Sequence, residues 1–347
     1  MSQRMRGEIE WGWRRALIGR RGAHFRYVTL SPMAHRYSNL DPSHRPHSAS
    51  SVWRWAVTDR LLGRRRRCPP GPAARWVAAD LELIHEDSKR PRLTWIGHSG
   101  FLGTLDGASF LVDPVFSPRI GGVYRRCCPP GLRETDLPQL HTVLVTHNHY
   151  DHLDAASIDG LSPSVPAVVP EGLGGWMRRR GRPVVELGWW QSTRVGPLDI
   201  TLVPARHWSR RRINDTNCSR WGGYVVRAGE HAVYHAGDTA WFPGFSEIGR
   251  RLGPLTAAML PIGGYDPAWF MERQHLNPEQ AGQAWLELGA IWMVPMHWGS
   301  FRLTDEPLSE PRARLHEWWA ENVDDDHSRL TDPAVGETVI LGGTRDT

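Results

Sequence analysis

The sequence predicts an α/β chain of the α+β type, with two β-sheets flanked by helices. Three observations predict it. Short apolar runs recur from Leu93 onward at strand length. Helical patterns are fewer and are interleaved with them. The apolar runs repeatedly end on a histidine or an aspartate, which marks one edge of the sheets as the place where chemistry collects.

In chain order, residues 93–96 and 109–112 read as strands separated by the turn Asp106-Gly107, a hairpin signature. Residues 142–146 form a short buried strand that runs straight into a histidine cluster. Residues 167–169, 183–187, 199–203, 223–226 and 232–235 read as further strands. Helices are predicted over 173–180, 243–252 and 278–288. The last has Asn277 as N-cap, Pro278 at its first position and Glu279-Gln280 in its first turn. Residues 1–90 differ: they are a basic, partly irregular extension before a domain spanning 91–347. Within them, 51–62 reads as one short helix with a serine cap. The run Arg64-Arg65-Arg66-Arg67, followed by Cys68-Pro69-Pro70-Gly71-Pro72, has two readings: contact with phosphate groups of lipid or nucleic acid, or a solvated loop.

The 347 residues suit one large domain plus an extension, or two modest domains. Hydrophobic residues at 40% suffice for a full core. Trp occurs 18 times against 7 Tyr and 8 Phe, Arg greatly outnumbers Lys, and the pI is about 9.3. A GC-rich coding bias accounts for this, and so does an anionic interface, where Trp sits between wet and apolar surroundings. The four cysteines include no CxxC pair, which argues against a disulfide framework and fits a reducing compartment. No run reaches the roughly 18 apolar residues of a membrane span, and Met1 to Arg21 lacks the apolar centre of a signal peptide. A cytoplasmic protein is expected, with peripheral contact at the inner membrane surface allowed.

His147, His149, Asp151 and His152 fall within six residues, directly after an apolar strand. Such a group either repels itself when charged or binds something positive, and imidazole and carboxylate are normal non-sulfur zinc ligands. Two histidines at i and i+2 leaving a strand can turn toward one ion. The Asp and His that follow can face a second.

This HxHxDH string resembles the signature of the metallo-β-lactamase superfamily. The resemblance implies a four-layer αββα sandwich of two mixed β-sheets, with 91–347 as the catalytic domain. It also implies downstream ligands, and His207, Asp238 and His297 occur in order, each past an apolar run. By resemblance, His147, His149 and His207 hold one zinc, Asp151, His152 and His297 hold the other, and Asp238 bridges both. Asp113 matches an early family aspartate that orients a ligand histidine; a plain strand-end turn residue is the alternative. Two zinc ions can lower the pKa of a bridging water toward neutrality and neutralise charge developing on a phosphoryl or carbonyl oxygen. Such N/O ligation does not exclude iron or manganese.

Further segments are similar to the N-acylphosphatidylethanolamine-hydrolysing phospholipase D family: Trp95-Ile96-Gly97-His98-Ser99-Gly100, Asp113-Pro114-Val115-Phe116-Ser117, Glu186-Leu187-Gly188-Trp189-Trp190, Arg206-His207-Trp208-Ser209, Tyr265-Asp266-Pro267-Ala268-Trp269-Phe270-Met271 and Gln274-His275-Leu276-Asn277-Pro278. The likeness runs over residues 92–343. It implies hydrolysis of the phosphodiester between a diacylglycerol phosphate and an N-acylethanolamine by a metal-bridging hydroxide. Asp151, Asp238 and His275 would be the catalytic residues. His275 orients substrate or moves a proton, or else merely flanks a helix. Tyr150 touches substrate or packs. Residues 176–180 suit a membrane-surface helix or a solvated face. Ser99-Gly100 and the Arg-rich N-terminus depart from the family pattern and leave the lipid open. A lactonase, another phosphodiesterase including a nuclease, and a metal-retaining lipid- or nucleic-acid-binding scaffold are the alternatives. The partners expected are a phospholipid or another small phosphodiester, with no nucleic acid and with self-association allowed.

Overall fold

The computed structural model describes residues 36–65, 74–324 and 329–341, and in them the apolar runs pair into two large sheets. The expectations for Met1 to Arg21, and for the basic run from Arg66 to Pro72, lie outside the described residues. The first half of the chain supplies β1 (Arg92–Gly97), β2 (Gly100–Leu105), β3 (Ala108–Val112), a small ribbon of β4 (Arg119–Ile120) with β5 (Tyr124–Arg125), then β6 (Leu140–Leu144), β7 (Ala167–Pro170) and β8 (Val184–Leu187). The second half supplies β9 (Ser192–Val195), β10 (Leu198–Val203), β11 (Gly223–Ala228), β12 (His231–His235), β13 (Leu255–Pro261) and β14 (Ala290–Met296). β15 (Thr338–Ile340) returns to the first sheet. The orders are β15-β1-β2-β3-β6-β7-β8 and β14-β13-β12-β11-β10-β9, and both sheets mix parallel with antiparallel pairs.

Side-chain alternation builds the layers. Trp95, Phe101, Phe110 and Leu144 face the second sheet and meet Tyr224 and Tyr234 there. Their neighbours Ile96, Leu102, Leu111, Val143 and Val145 face the opposite way, onto Ile158 and Met177. Those two come from α4 (Ala155–Gly160) and α5 (Gly174–Arg178), which follow α1 (Ala49–Trp53), α2 (Asp59–Leu61) and α3 (Leu81–His85). On the second sheet lie α6 (Gly244–Leu252), α8 (Pro278–Leu288) and α9 (Glu310–Asn322), with the short α7 (Ala268–Met271) before α8. Phe245, Ile248, Trp285, Leu288, Leu315 and Trp319 are their buried contributions. Burying each such side chain contributes about 1.5–3 kcal/mol. The result is the expected sandwich of two mixed sheets between helices.

Three details differ from the sequence reading. The Asp106-Gly107 turn joins β3 to β2, not to β1, so a whole strand stands between the two that were read as a hairpin. β2 is fully buried, but Gly100 and Gly103 mask its strand signal. Gly103 pairs with Phe110, and a Cβ there would sit 2.4 Å from the ring, so the glycine makes room for the aromatic. The N-terminal helix begins at Ala49 under Ser48, whose hydroxyl accepts the Ser51 amide, and passes through a π-type stretch at Arg54–Thr58. α9 escaped prediction because its buried residues are only Pro311, Leu315 and Trp319, too few for a helical stripe. By contrast α8 is capped as expected: Asn277 accepts the Gln280 amide and the Gln280 side chain returns to Asn277.

The described part of the extension packs on the domain. Trp55 stacks on Phe270 at 4.9 Å, and Arg65 pairs with buried Asp305. Among the described residues, no helix is long and apolar enough to cross a membrane.

Candidate metal centre

In the first sheet, β1, β3 and β6 run in one direction; in the second, β10, β12 and β14 do. Their C-terminal ends deliver His98, Asp113, the 147–152 loop, His207, Asp238 and His297. Main-chain bonds tie the two sheets at this edge: the His297 amide donates to the His98 carbonyl (3.0 Å), and the Gly222 amide to the Thr146 carbonyl (3.2 Å). His98, Asp113 and His297 sit at φ of 55°, 44° and 60°, a left-handed region disfavoured for residues with a Cβ. Strain of this kind concentrates where a site must aim its side chains.

Among the described residues, three overlapping groups of ligand atoms result, the smallest being Asp238, His275 and His297. In one of the larger two, nitrogens of His147, His149 and His207 and a carboxylate oxygen of Asp238 all lie within 4.8 Å of one another. In the other, His98, Asp151, His152 and His297 do the same. Asp238 stands between these two with one oxygen for each. Its Oδ1 is 3.2 Å from Nε2 of both His152 and His297. Its Oδ2 is 3.9 Å from His147 Nε2 and 3.8 Å from His207 Nε2. All seven residues expected as ligands therefore come together, in the expected two groups.

The donor atoms fit cations. Buried Nε2 of His149, Nε2 of His152, Nε2 of His297 and Oδ1 of Asp238 have no hydrogen-bond partner. Orphaned buried polar atoms are costly unless something charged or polar meets them. The electrostatics agree. Burial and neighbouring imidazoles hold His147 well below its ordinary pKa, and burial above all takes His149 to about 4 and His207 to about 3, so all three are neutral donors. Burial also opposes charge on His297, but Asp238 and Asp151 outweigh it and push it up to about 9; His152 is raised likewise by Asp238, Asp151 and Asp113. Without a metal these two take protons to balance the carboxylates, a task that a divalent cation also performs.

Outer contacts orient the donors. Asp113 is fully buried; its Oδ2 accepts from His152 Nδ1 (2.7 Å) and its Oδ1 from the Thr146 amide (2.8 Å), which leaves His152 Nε2 turned inward. The Gln274 carbonyl accepts from His207 Nδ1 (2.9 Å). His275 is brought to the same place: its Nδ1 is 3.9 Å from Asp238 Oδ2 and has no hydrogen-bond partner, and burial takes it down to about 3. Gly264, at φ +88°, clears the space, since a Cβ there would lie 3.3 Å from both His275 and His297. Tyr150 does not join the cluster. It is half-exposed, its hydroxyl donates to the Arg211 carbonyl (3.0 Å), and the Arg211 guanidinium lies over its ring.

Sequence reasoning missed four contributors. His98 Nε2 lies 3.1 Å from Asp151 Oδ2, and its place at the end of β1 repeats the strand-end signal that found the others. Asn39 exchanges two bonds with the backbone of His207, at 2.9 and 3.1 Å. Gln274 also fixes Trp208 Nε1 at 2.7 Å. Arg211 donates to the carbonyls of Asn148 (3.2 Å) and Leu153 (2.7 Å), bracketing the ligand loop. Apart from that of His98, their signals are diffuse, because Asn39, Gln274 and Arg211 act across 58 to 168 residues of sequence.

A family profile described as a beta-lactamase superfamily domain matches residues 109–298. The N-acyl-phosphatidylethanolamine-hydrolyzing phospholipase D 1 of Caenorhabditis elegans is 36% identical over 243 residues, covering 65% of this chain and 68% of its own. An uncharacterized protein of Mycobacterium tuberculosis is 33% identical over 341 residues, covering 93% of this chain and 88% of its own. A solved metallo hydrolase from the archaeon Ignicoccus hospitalis shares the fold with a TM-score of 0.56 at 24% identity, over 73% of this chain and 99% of its own. The chain belongs to the metallo-β-lactamase superfamily and is related to its N-acyl-phosphatidylethanolamine-hydrolysing phospholipase D branch.

Proposed function

We propose that this metal-dependent hydrolase is a two-metal phosphodiesterase of phospholipase D type, with N-acylphosphatidylethanolamine as its substrate class and zinc as its metal. The observation that carries the reading is the division of Asp238 between the two ligand groups, one carboxylate oxygen toward each. The relationship to the nematode phospholipase D supports the choice of substrate. His147, His149, His207 and Asp238 would hold one ion, and Asp151, His152, His297 and Asp238 the other. Bound there, the ions supply Lewis acidity toward phosphoryl oxygens and an activated water.

The chain's own groups do the rest. Asp113 and His98 hold His152 and Asp151 in place, so that little reorganisation accompanies the reaction. His275 is neutral at physiological pH, and its unpartnered Nδ1 is free to accept a hydrogen bond from the attacking water or from substrate. In the net reaction one oxygen–phosphorus bond forms from water. The bond from phosphorus to the N-acylethanolamine oxygen breaks, that oxygen takes the proton, and a phosphatidic acid remains. Work on a lipid substrate implies peripheral contact with a membrane.

The test is product analysis. Metal-loaded protein on vesicles containing N-acylphosphatidylethanolamine should release N-acylethanolamine and phosphatidic acid, detected by mass spectrometry. Release of neither, with cleavage of a lactone or a simple phosphodiester, would move the chain to the corresponding activity and remove the lipid reading.

A further inference from the structure

Beside the ligand loop lies a cavity of about 470 Å³ that the proposed reaction does not use. Asn148 and Tyr150 of the loop form one side of it, and four arginines, Arg179, Arg180, Arg211 and Arg212, contribute to its lining. Two acids offset part of that charge. Asp159 pairs with Arg180 at 2.9 Å, and Asp215, itself at the cavity, accepts the backbone amides of Arg211 and Arg212. Among the described residues, neither Arg179 nor Arg212 has an ion-pair partner, so the cavity keeps about two positive charges.

The walls are organised for a planar cation and its ligand. Arg180 lies over the Trp176 ring at 3.4 Å, and Arg211 lies over Tyr150 at 4.2 Å and Trp176 at 5.6 Å. Stacking restrains the guanidinium planes before a ligand arrives and so reduces the ordering that binding must impose. Ser219, 3% exposed, also lines the cavity, and its buried hydroxyl has no partner.

We infer that this cavity is an anion site for a phosphate monoester group, distinct from the metal centre. Guanidinium groups bind phosphate in a two-pronged manner, and two uncompensated charges match a group carrying about −1.5 to −2. The volume falls in the range of ordinary ligand pockets, about 300–1,000 Å³, so the phosphate can arrive with part of its carrier. The inference does not depend on the substrate of the metal centre. The phosphate can come free in solution or as the headgroup of phosphatidic acid in a bilayer.

The experiment uses the metal-loaded full chain and the variant R179Q/R212Q, with thermal midpoints compared to verify folding and the single variants R179E and R212E as a second route should the double variant fold poorly. Inorganic phosphate is titrated calorimetrically, and flotation is measured on phosphatidylcholine vesicles with and without phosphatidic acid. Loss of two charged donors should weaken one phosphate-binding event at least about tenfold. Weakened phosphate binding with unchanged flotation identifies a soluble phosphate ligand. Weakening of both identifies the lipid headgroup. Unchanged phosphate binding overturns the inference, whether or not flotation changes, because the arginines then act only as general surface charge.

Discussion

Nε2 of His98 lies 3.1 Å from Oδ2 of Asp151, and the two residues reach each other from the loops that follow β1 and β6 of the same sheet. His98 is 2% exposed, so this contact is made where water cannot replace it. It joins a residue whose role the fold reveals to one that the sequence signature contains.

Removing that support should loosen the second ligand group. His98→Ala is expected to lower metal affinity there about 10–100-fold, as lost outer contacts to metal ligands usually do. Metal content after dialysis should fall selectively, and His98→Gln, which keeps a donor, should recover part of it. Equal metal retention in wild type and His98→Ala would count against the contact.

The pH dependence of the metal-stripped protein follows from opposing shifts. Burial holds His207 and His275 at about 3, so the unfolded chain, titrating near 6.5, binds protons that the folded chain does not, and stability falls as pH drops below 6.5. His297 acts in the other sense. Burial lowers it, Asp238 and Asp151 outweigh burial and raise it to about 9, and its contribution is present below 6.5 and lost as pH rises through 9. Thermal midpoints after chelation should therefore peak near pH 6.5, and added divalent metal should remove the alkaline decline by replacing those protons. A chelated protein whose midpoint climbs steadily to pH 9 would contradict this assignment.

Gly103 tests the packing beneath the site. A Cβ would meet the Phe110 ring at 2.4 Å, so Gly103→Ala should destabilise by about 1–3 kcal/mol, read from denaturant midpoints. Adding Phe110→Leu should return part of the loss. No recovery would mean that the ring is not the obstacle.

Asn39 tests the attachment of the N-terminal segment. It is buried, and its amide makes both bonds to the His207 backbone. Asn39→Ala leaves those groups unpaired and should cost about 1–3 kcal/mol. Metal retention should fall with it, since His207 is displaced; a stability loss with metal binding intact would make Asn39 a purely structural anchor.

Much of this centre was legible because its ligands are local or end strands. Four lie within six residues, and His207, Asp238 and His297 each follow an apolar run. Most of the strands were legible for a similar reason, as β-branched runs bounded by turns. β2 was not, because glycines that accommodate Phe110 look like a loop when read alone. Nor was the role of Arg211, whose bonds to Asn148 and Leu153 depend on how a loop 58 residues away folds back. Tyr150 was read as touching substrate or packing, and it packs against Arg211, whose carbonyl accepts its hydroxyl and whose guanidinium covers its ring, a contact 61 residues away that the signature does not show. Asp113 apart, which the resemblance implied, these outer contacts follow from tertiary approach more than from any local pattern.

Two cations sharing Asp238, as proposed, would be seen most directly in the metal content per chain. Wild-type protein purified without chelator should carry two divalent ions by elemental mass spectrometry, and Asp238→Asn, which weakens both groups at once, should carry one or fewer. Well under one ion in the wild type, or two in Asp238→Asn, would contradict that sharing.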